Sequence, residues 1–110
     1  MKMTRIGEFQ ELILLVVIIL QENAYGASIK GELEERLKTK ISVGSIQSSL
    51  KRLEEKEYLI SKVGEASPIR GGRSKKLYKI TPEGRKVLVQ MKSIRENLYG
   101  SISYLRLKLD

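Results

Sequence analysis

The run LILLVVIIL, Leu12 to Leu20, decides more about this chain than any other stretch. It is roughly half as long as the ~20 residues a bilayer-spanning helix needs, so it belongs to a protein interior and no membrane partner is expected. It is also a poor secretion signal, because Glu8 and Glu11 stand just before it and no small-residue cleavage site follows. Its Val and Ile content would suit a strand. The stretch from Glu8 to about Gln21 nevertheless passes ten residues without a turn signal, and that length predicts a helix. Such a helix is apolar on nearly every side after Gln10 and asks for cover on all faces. A chain of 110 residues builds one modest core and hardly two, so part of that cover is expected from a partner chain.

After a break at Asn23, Tyr25 and Gly26, a second helix is expected over about 26–38, with Ile29, Leu33 and Leu37 at spacings of four. Ser42 then reads as an N-cap, and a third helix runs to about Lys56 with Ile46, Leu50 and Leu53 on one stripe. Its opposite face, Gly44, Ser45, Ser48, Lys51 and Arg52 with Gln47 at the flank and Glu55 at the far end, is small and polar in its first turns. A face that only meets water would more often carry Glu and Lys, which favour helix over Ser. Small polar residues let a backbone approach another surface closely. Leu59–Gly64 and Lys75–Ile80 read as two strands joined by a loop with Pro68, Gly71 and Gly72, too long for a two-residue turn. Thr81 and Pro82 are N-cap and first residue of a last helix that can continue almost to Asp110. Leu88, Met91, Arg95, Leu98, Ile102, Leu105 and Leu109 alternate at three and four within it, a seam against another helix that Arg95 and Gly100 weaken.

Charge narrows the partner. Lys and Arg number 21 against 13 Asp and Glu, a net charge of +8 that favours a polyanion. The excess is confined to two windows of net +5 each, residues 36–52 and 61–80, and the rest of the chain is net negative. A single charge run is commonly just solvated surface; two in one small domain point to a shared ligand. The absence of Cys excludes disulfides and thiolate metal sites and is compatible with a reducing compartment, so a cytoplasmic location is the expectation. With no His either, the usual general base and nucleophile are missing. GEASPIRGGRS lacks the Lys-Ser/Thr ending of a phosphate-binding loop, no metal spacing occurs, and neither an enzyme nor a cofactor is expected.

The element order, three helices, a basic hairpin and a long helix, is that of a helix-turn-helix followed by a wing. The fold class expected is mainly α with a small β-hairpin: a winged helix-turn-helix over 1–80, including the first helix, and a dimerisation helix over 81–110. At this point the chain resembles the PadR-type transcriptional regulators. The likeness lies in AYGASIKGELEERL (Ala24 to Leu37), SVGSIQSSLKRLEEK (Ser42 to Lys56) and GGRSKKLYKITPEGRKVL (Gly71 to Leu88), and covers about residues 8–90. The single terminal helix is similar to the shorter branch of that family, whose members are dimeric winged-helix repressors joined through their first and last helices. Two positions depart from the pattern. Gln47 stands where members often carry Tyr, and Glu57 stands where the third helix usually ends on Gly.

In such a fold the third helix enters the major groove. Ser42, Ser45, Gln47 and Ser48 are the candidates for base edges or nearby phosphates, and Lys51 and Arg52, two turns in, for the backbone. The wing, 66–76, would lie on flanking phosphates or the minor groove, with Arg70 and Arg73 inserting or straddling and Lys75 and Lys76 neutralising charge. Tyr25 and Tyr78 read as packing residues, Lys79 as a solvated strand residue. The apolar first helix and the seam nominate Phe9, Leu12, Val16, Ile19, Leu88, Met91, Leu98, Ile102 and Leu105 for a homodimer interface. Relatives bind planar aromatic effectors in clefts between first and last helices, which is what the resemblance implies for regulation; this chain has no Trp to stack on one. Two other readings stay open, a protein-interaction module on the same fold and a sequence-independent nucleic-acid binder.

Overall fold

The structure, a computed structural model, describes residues 6–64 and 75–103. It contains α1 (Glu8–Leu20), a short 3-10 turn (Gln21–Asn23), α2 (Gly26–Leu37), α3 (Val43–Glu55), β1 (Leu59–Val63), β2 (Lys76–Ile80) and α4 (Pro82–Gly100). The described residues are mainly helical with one antiparallel hairpin, in which Leu59 pairs with Ile80 and Val63 with Lys76. Tyr25 bridges Leu77 on the other edge of β2, and the Tyr78 amide donates to the Ala24 carbonyl at 2.8 Å. The segment before α2 is thereby bonded to the free edge of β2 through one isolated bridge.

One apolar stripe from each element meets in a single core. Ile13, Leu14, Val16 and Val17 come from α1, Ile29 and Leu33 from α2, Ile46, Leu50 and Leu53 from α3, Leu59, Tyr78 and Ile80 from the hairpin and Val87 from α4. Fully burying such a side chain contributes about 1.5–3 kcal/mol, so the stripes carry most of the stability. Leu37, at the last position of α2, lies outside this core and is exposed. Among the described residues the first helix is not covered all round: Leu15, Ile18 and Ile19 are 40%, 36% and 49% exposed.

Two capping signals operate as their residue types require. The Ser42 hydroxyl accepts the Ser45 amide at 3.1 Å and opens α3. The Thr81 hydroxyl accepts the Gly84 amide at 3.0 Å and donates to the Glu57 carbonyl at 2.7 Å, fastening the start of α4 to the end of α3. Gly84 is required by close approach, since a Cβ there would collide with the Tyr58 carbonyl oxygen and come within 2.7 Å of Ile80 Cγ1. The last helix stops at Gly100, well short of Asp110, and residues 101–103 are not helical. Ile102 therefore leaves the helical seam, while Leu105 and Leu109 lie outside the described residues.

Glu57 adopts the geometry its type disfavours. Its φ is 63°, its amide donates to Glu54 O at 2.9 Å, and the Tyr58 amide donates to Leu53 O at 2.9 Å. Those two bonds are a Schellman ending, and a left-handed residue other than Gly pays a steric penalty of about 1 kcal/mol there. Glu57→Gly is expected to stabilise the fold by about 0.5–1 kcal/mol, raising the thermal midpoint by a few degrees. A scan in which the midpoint falls would show that the Glu57 side chain itself contributes more than the backbone strain removes.

Candidate nucleic-acid interface

The third helix is seated by Ile46, Leu50 and Leu53, each at most 1% exposed, which turns the other side outward. On that side Val43, Gly44, Ser45, Gln47, Ser48, Lys51 and Arg52 are all exposed. Ser42, the cap, is exposed as well, and its hydroxyl lies 2.8 Å from that of Ser45. The six residues nominated on this helix thus share one continuous surface. The Gln47 amide lies beside the start of α2: its Nε2 would lie 2.8 Å from a Cβ on Gly26, so the missing side chain there leaves room for it.

The turn between α2 and α3 is closed by Glu34. Its Oε2 accepts the Ile41 amide at 2.8 Å and the Lys30 ammonium at 3.1 Å. The Ile41 amide, then Lys30, hold the Glu34 carboxyl below the ordinary carboxylate range. At the other end of α3, Glu54 reaches the hairpin. Its Oε2 accepts from the Ser61 hydroxyl at 2.6 Å and its Oε1 from the Lys76 ammonium at 2.9 Å. Burial pushes the Glu54 carboxyl up, but these two partners outweigh it and the net direction is down.

The basic residues of the hairpin divide. Arg70 and Arg73 lie outside the described residues. Lys75, half-buried, sits over the Tyr25 ring at 4.2 Å from its centroid, a cation–π contact that ties the root of the wing to α2. Lys76, nominated for charge neutralisation, is exposed and already has a partner within the protomer. It is paired with Glu54 at 2.9 Å, and this partner holds its ammonium above the ordinary Lys value. Tyr78 is buried and Tyr25 half-buried, as packing residues; Lys79 faces water.

The dimer candidates also divide. Ile19 and Leu98 are 49% and 60% exposed, and Ile102 is exposed beyond the helix. Phe9, Leu12, Leu88 and Met91 are half-buried, packed against the core. Val16 is 3% exposed and belongs to the core, a correction that follows from the phase of α1: the free face carries Leu15 and Ile18 instead. Those two residues line an apolar groove with Leu88, Val89 and Tyr99 of α4, beside Glu11 and Arg95. Arg95, which weakened the seam on paper, donates to the buried Glu11 at 2.6 Å and joins α4 to α1.

A helix seated on its predecessor with a polar outer face, followed by an antiparallel hairpin, defines a winged helix-turn-helix. The family model described as the transcriptional regulator PadR-like family matches residues 14–90. The chain belongs to this family, whose members are DNA-binding transcriptional regulators and not enzymes. No curated protein matches it in sequence. Among solved structures it is similar to a PadR-like transcriptional regulator from Bacillus cereus, with a TM-score of 0.71 and 24% identity over 92% of this chain and 93% of that one. A PadR family regulator from Eggerthella lenta gives a TM-score of 0.67 at 26% identity, covering 94% and 88%. RosR of H. salinarum gives 0.70 at 24% identity, covering 92% and 84%. Among the described residues no helix is long and apolar enough to cross a membrane.

The depressed Glu34 and Glu54 carboxyls give the fold an acid limb. Each contributes stability that is fully present above the unfolded Glu value of about 4.3 and lost as pH falls through its lower folded value. The thermal midpoint is expected to stay level down to about pH 5 and to drop toward about pH 3. Glu34→Gln should make that limb shallower in a series of thermal scans; a limb as steep as wild type would remove Glu34 from its cause.

Proposed function

We propose that the chain is a homodimeric, sequence-specific transcriptional repressor that reads an inverted-repeat operator with α3 in the major groove and the wing, 66–76, on the flanking backbone or minor groove. The observation that carries this reading is the outer face of α3, where Gly44, Ser45, Gln47, Ser48, Lys51 and Arg52 are exposed together without an acidic neighbour in its first two turns. A helix fits the width of the major groove, and amide and hydroxyl groups match base edges there. Gln47 is suited to an adenine edge, and Lys51 and Arg52 to phosphates. Repression is the mode that the family resemblance implies. A small aromatic effector would find Tyr99 as the one ring on the wall of the α1–α4 groove among the described residues.

Selection of duplexes from a randomised library tests this directly. The wild-type chain is expected to enrich an inverted repeat whose half-sites are about one helical turn apart. Lys51→Ala with Arg52→Ala should weaken binding to every duplex and lower the slope of log affinity against log salt by about 1 per lost phosphate contact. Gln47→Ala should change the enriched sequence instead. Retention without any motif would favour sequence-independent binding, and an unchanged salt slope in the double variant would sink the assignment of α3.

For the dimer, the support is the apolar surface exposed among the described residues, Leu15, Ile18 and Ile19 on α1 and Ile94, Leu98 and Tyr99 on α4. Leu15→Lys with Leu98→Lys touches no core residue and should yield a folded monomer in sedimentation equilibrium. A variant that still sediments as a dimer would move the interface elsewhere.

A further inference from the structure

We infer that Glu54 is a positioning residue for DNA reading: its carboxylate clamps both strands of the wing to α3 and thereby fixes the angle between the two reading elements. The inference rests on the DNA-binding reading above and adds a residue that faces no DNA in it. One oxygen of Glu54 takes the Ser61 hydroxyl of β1 at 2.6 Å and the other takes the Lys76 ammonium of β2 at 2.9 Å. Lys76 also lies 5.6 Å from the centroid of the Tyr78 ring, which is 6% exposed and part of the core.

The place of the clamp along the hairpin gives it leverage. A two-stranded hairpin is marginal by itself and takes its direction from what it rests on. Here the hairpin rests on the core through Leu59, Tyr78 and Ile80, and β2 is bonded to the segment before α2 at Leu77 and Tyr78, whereas Glu54 ties α3 to β1 at Ser61, opposite Tyr78, and to β2 at Lys76, opposite Val63 in the outermost register pair. Glu54 is therefore the outermost polar attachment of the hairpin to α3 among the described residues. The basic residues it steers follow beyond it in sequence, Arg70 and Arg73.

Charge makes the assignment testable, because a positioning role and a simple electrostatic role predict opposite signs. Glu54 places a negative charge beside a basic surface and occupies the Lys76 ammonium. If attraction to phosphate were all that mattered, removing that carboxylate would strengthen binding to every duplex. If it sets an angle, removing it loosens the fit to the operator while general attraction holds or rises.

The experiment compares wild type, Glu54→Gln and Ser61→Ala on the selected operator and on a scrambled duplex of equal length, with hydrogen exchange of the hairpin amides in the absence of DNA. For Glu54→Gln, affinity for the scrambled duplex should hold or increase while the ratio of operator to scrambled affinity falls about tenfold. Amides of β1 and β2 should exchange faster, with those of α2 unchanged. Ser61→Ala, which removes one contact and no charge, should give the same direction with a smaller drop and serves if Glu54→Gln fails to fold. Operator and scrambled affinities that move by one common factor, or hairpin exchange equal to wild type, would overturn the inference while leaving the DNA reading intact. A wild-type chain that prefers no duplex would overturn the reading, and this inference with it.

Discussion

The Thr81 hydroxyl sits where three elements meet, and the arrangement of the rest depends on it. It receives the Gly84 amide, opening α4, and gives its proton to the Glu57 carbonyl, just past the end of α3. The Thr81 amide meanwhile donates to Tyr58 O at 3.0 Å, the first rung below the hairpin. A helix start, a helix end and a strand pair are thus bound within five backbone and side-chain groups. Gly84 is the geometric condition for this meeting, since its bare Cα lets α4 begin directly against the Tyr58 carbonyl. The spacing of Thr81 and Gly84 is, in these terms, a statement about packing.

What was legible in the sequence was whatever is decided locally. Ser42 and Thr81 announce caps because a hydroxyl three residues before a free amide has one good use. The stripes Ile29–Leu33 and Ile46–Leu50–Leu53 announce buried faces because helical periodicity is a property of neighbours in the chain. The polar outer face of α3 follows from the same phase. Placement of the wing arginines is a different matter, as Arg70 and Arg73 fall outside the described residues.

What was not legible depends on partners far away in sequence. Glu54 looks like any solvated Glu in LEEK, and nothing in spacing links it to Ser61 and Lys76 at once. The Glu11–Arg95 pair joins residues 84 apart, so Arg95 reads only as a flaw in a seam. The phase of α1 was obscured by its own uniformity: when every position is apolar, no contrast tells Val16 from Leu15. Glu57 shows tertiary structure overriding propensity, because the Tyr58 and Leu53 side chains it separates both belong in the core.

The bond between Arg95 and Glu11 has a mechanical meaning. With Thr81 anchoring α4 at its start and Arg95 anchoring it near its far end, the helix is not a free arm but a strut fixed to the body of its protomer at two points. In the twofold pair proposed above, built on α1 and α4, each protomer would then turn as one piece, like one leg of a calliper. Nineteen residues of α4 give an arm of about 28 Å at 1.5 Å per residue, so a 5° change in the crossing of the two struts moves its far end by roughly 2–3 Å. In that proposed dimer the gauge of the calliper would be set at the helices, far from the groove it would measure.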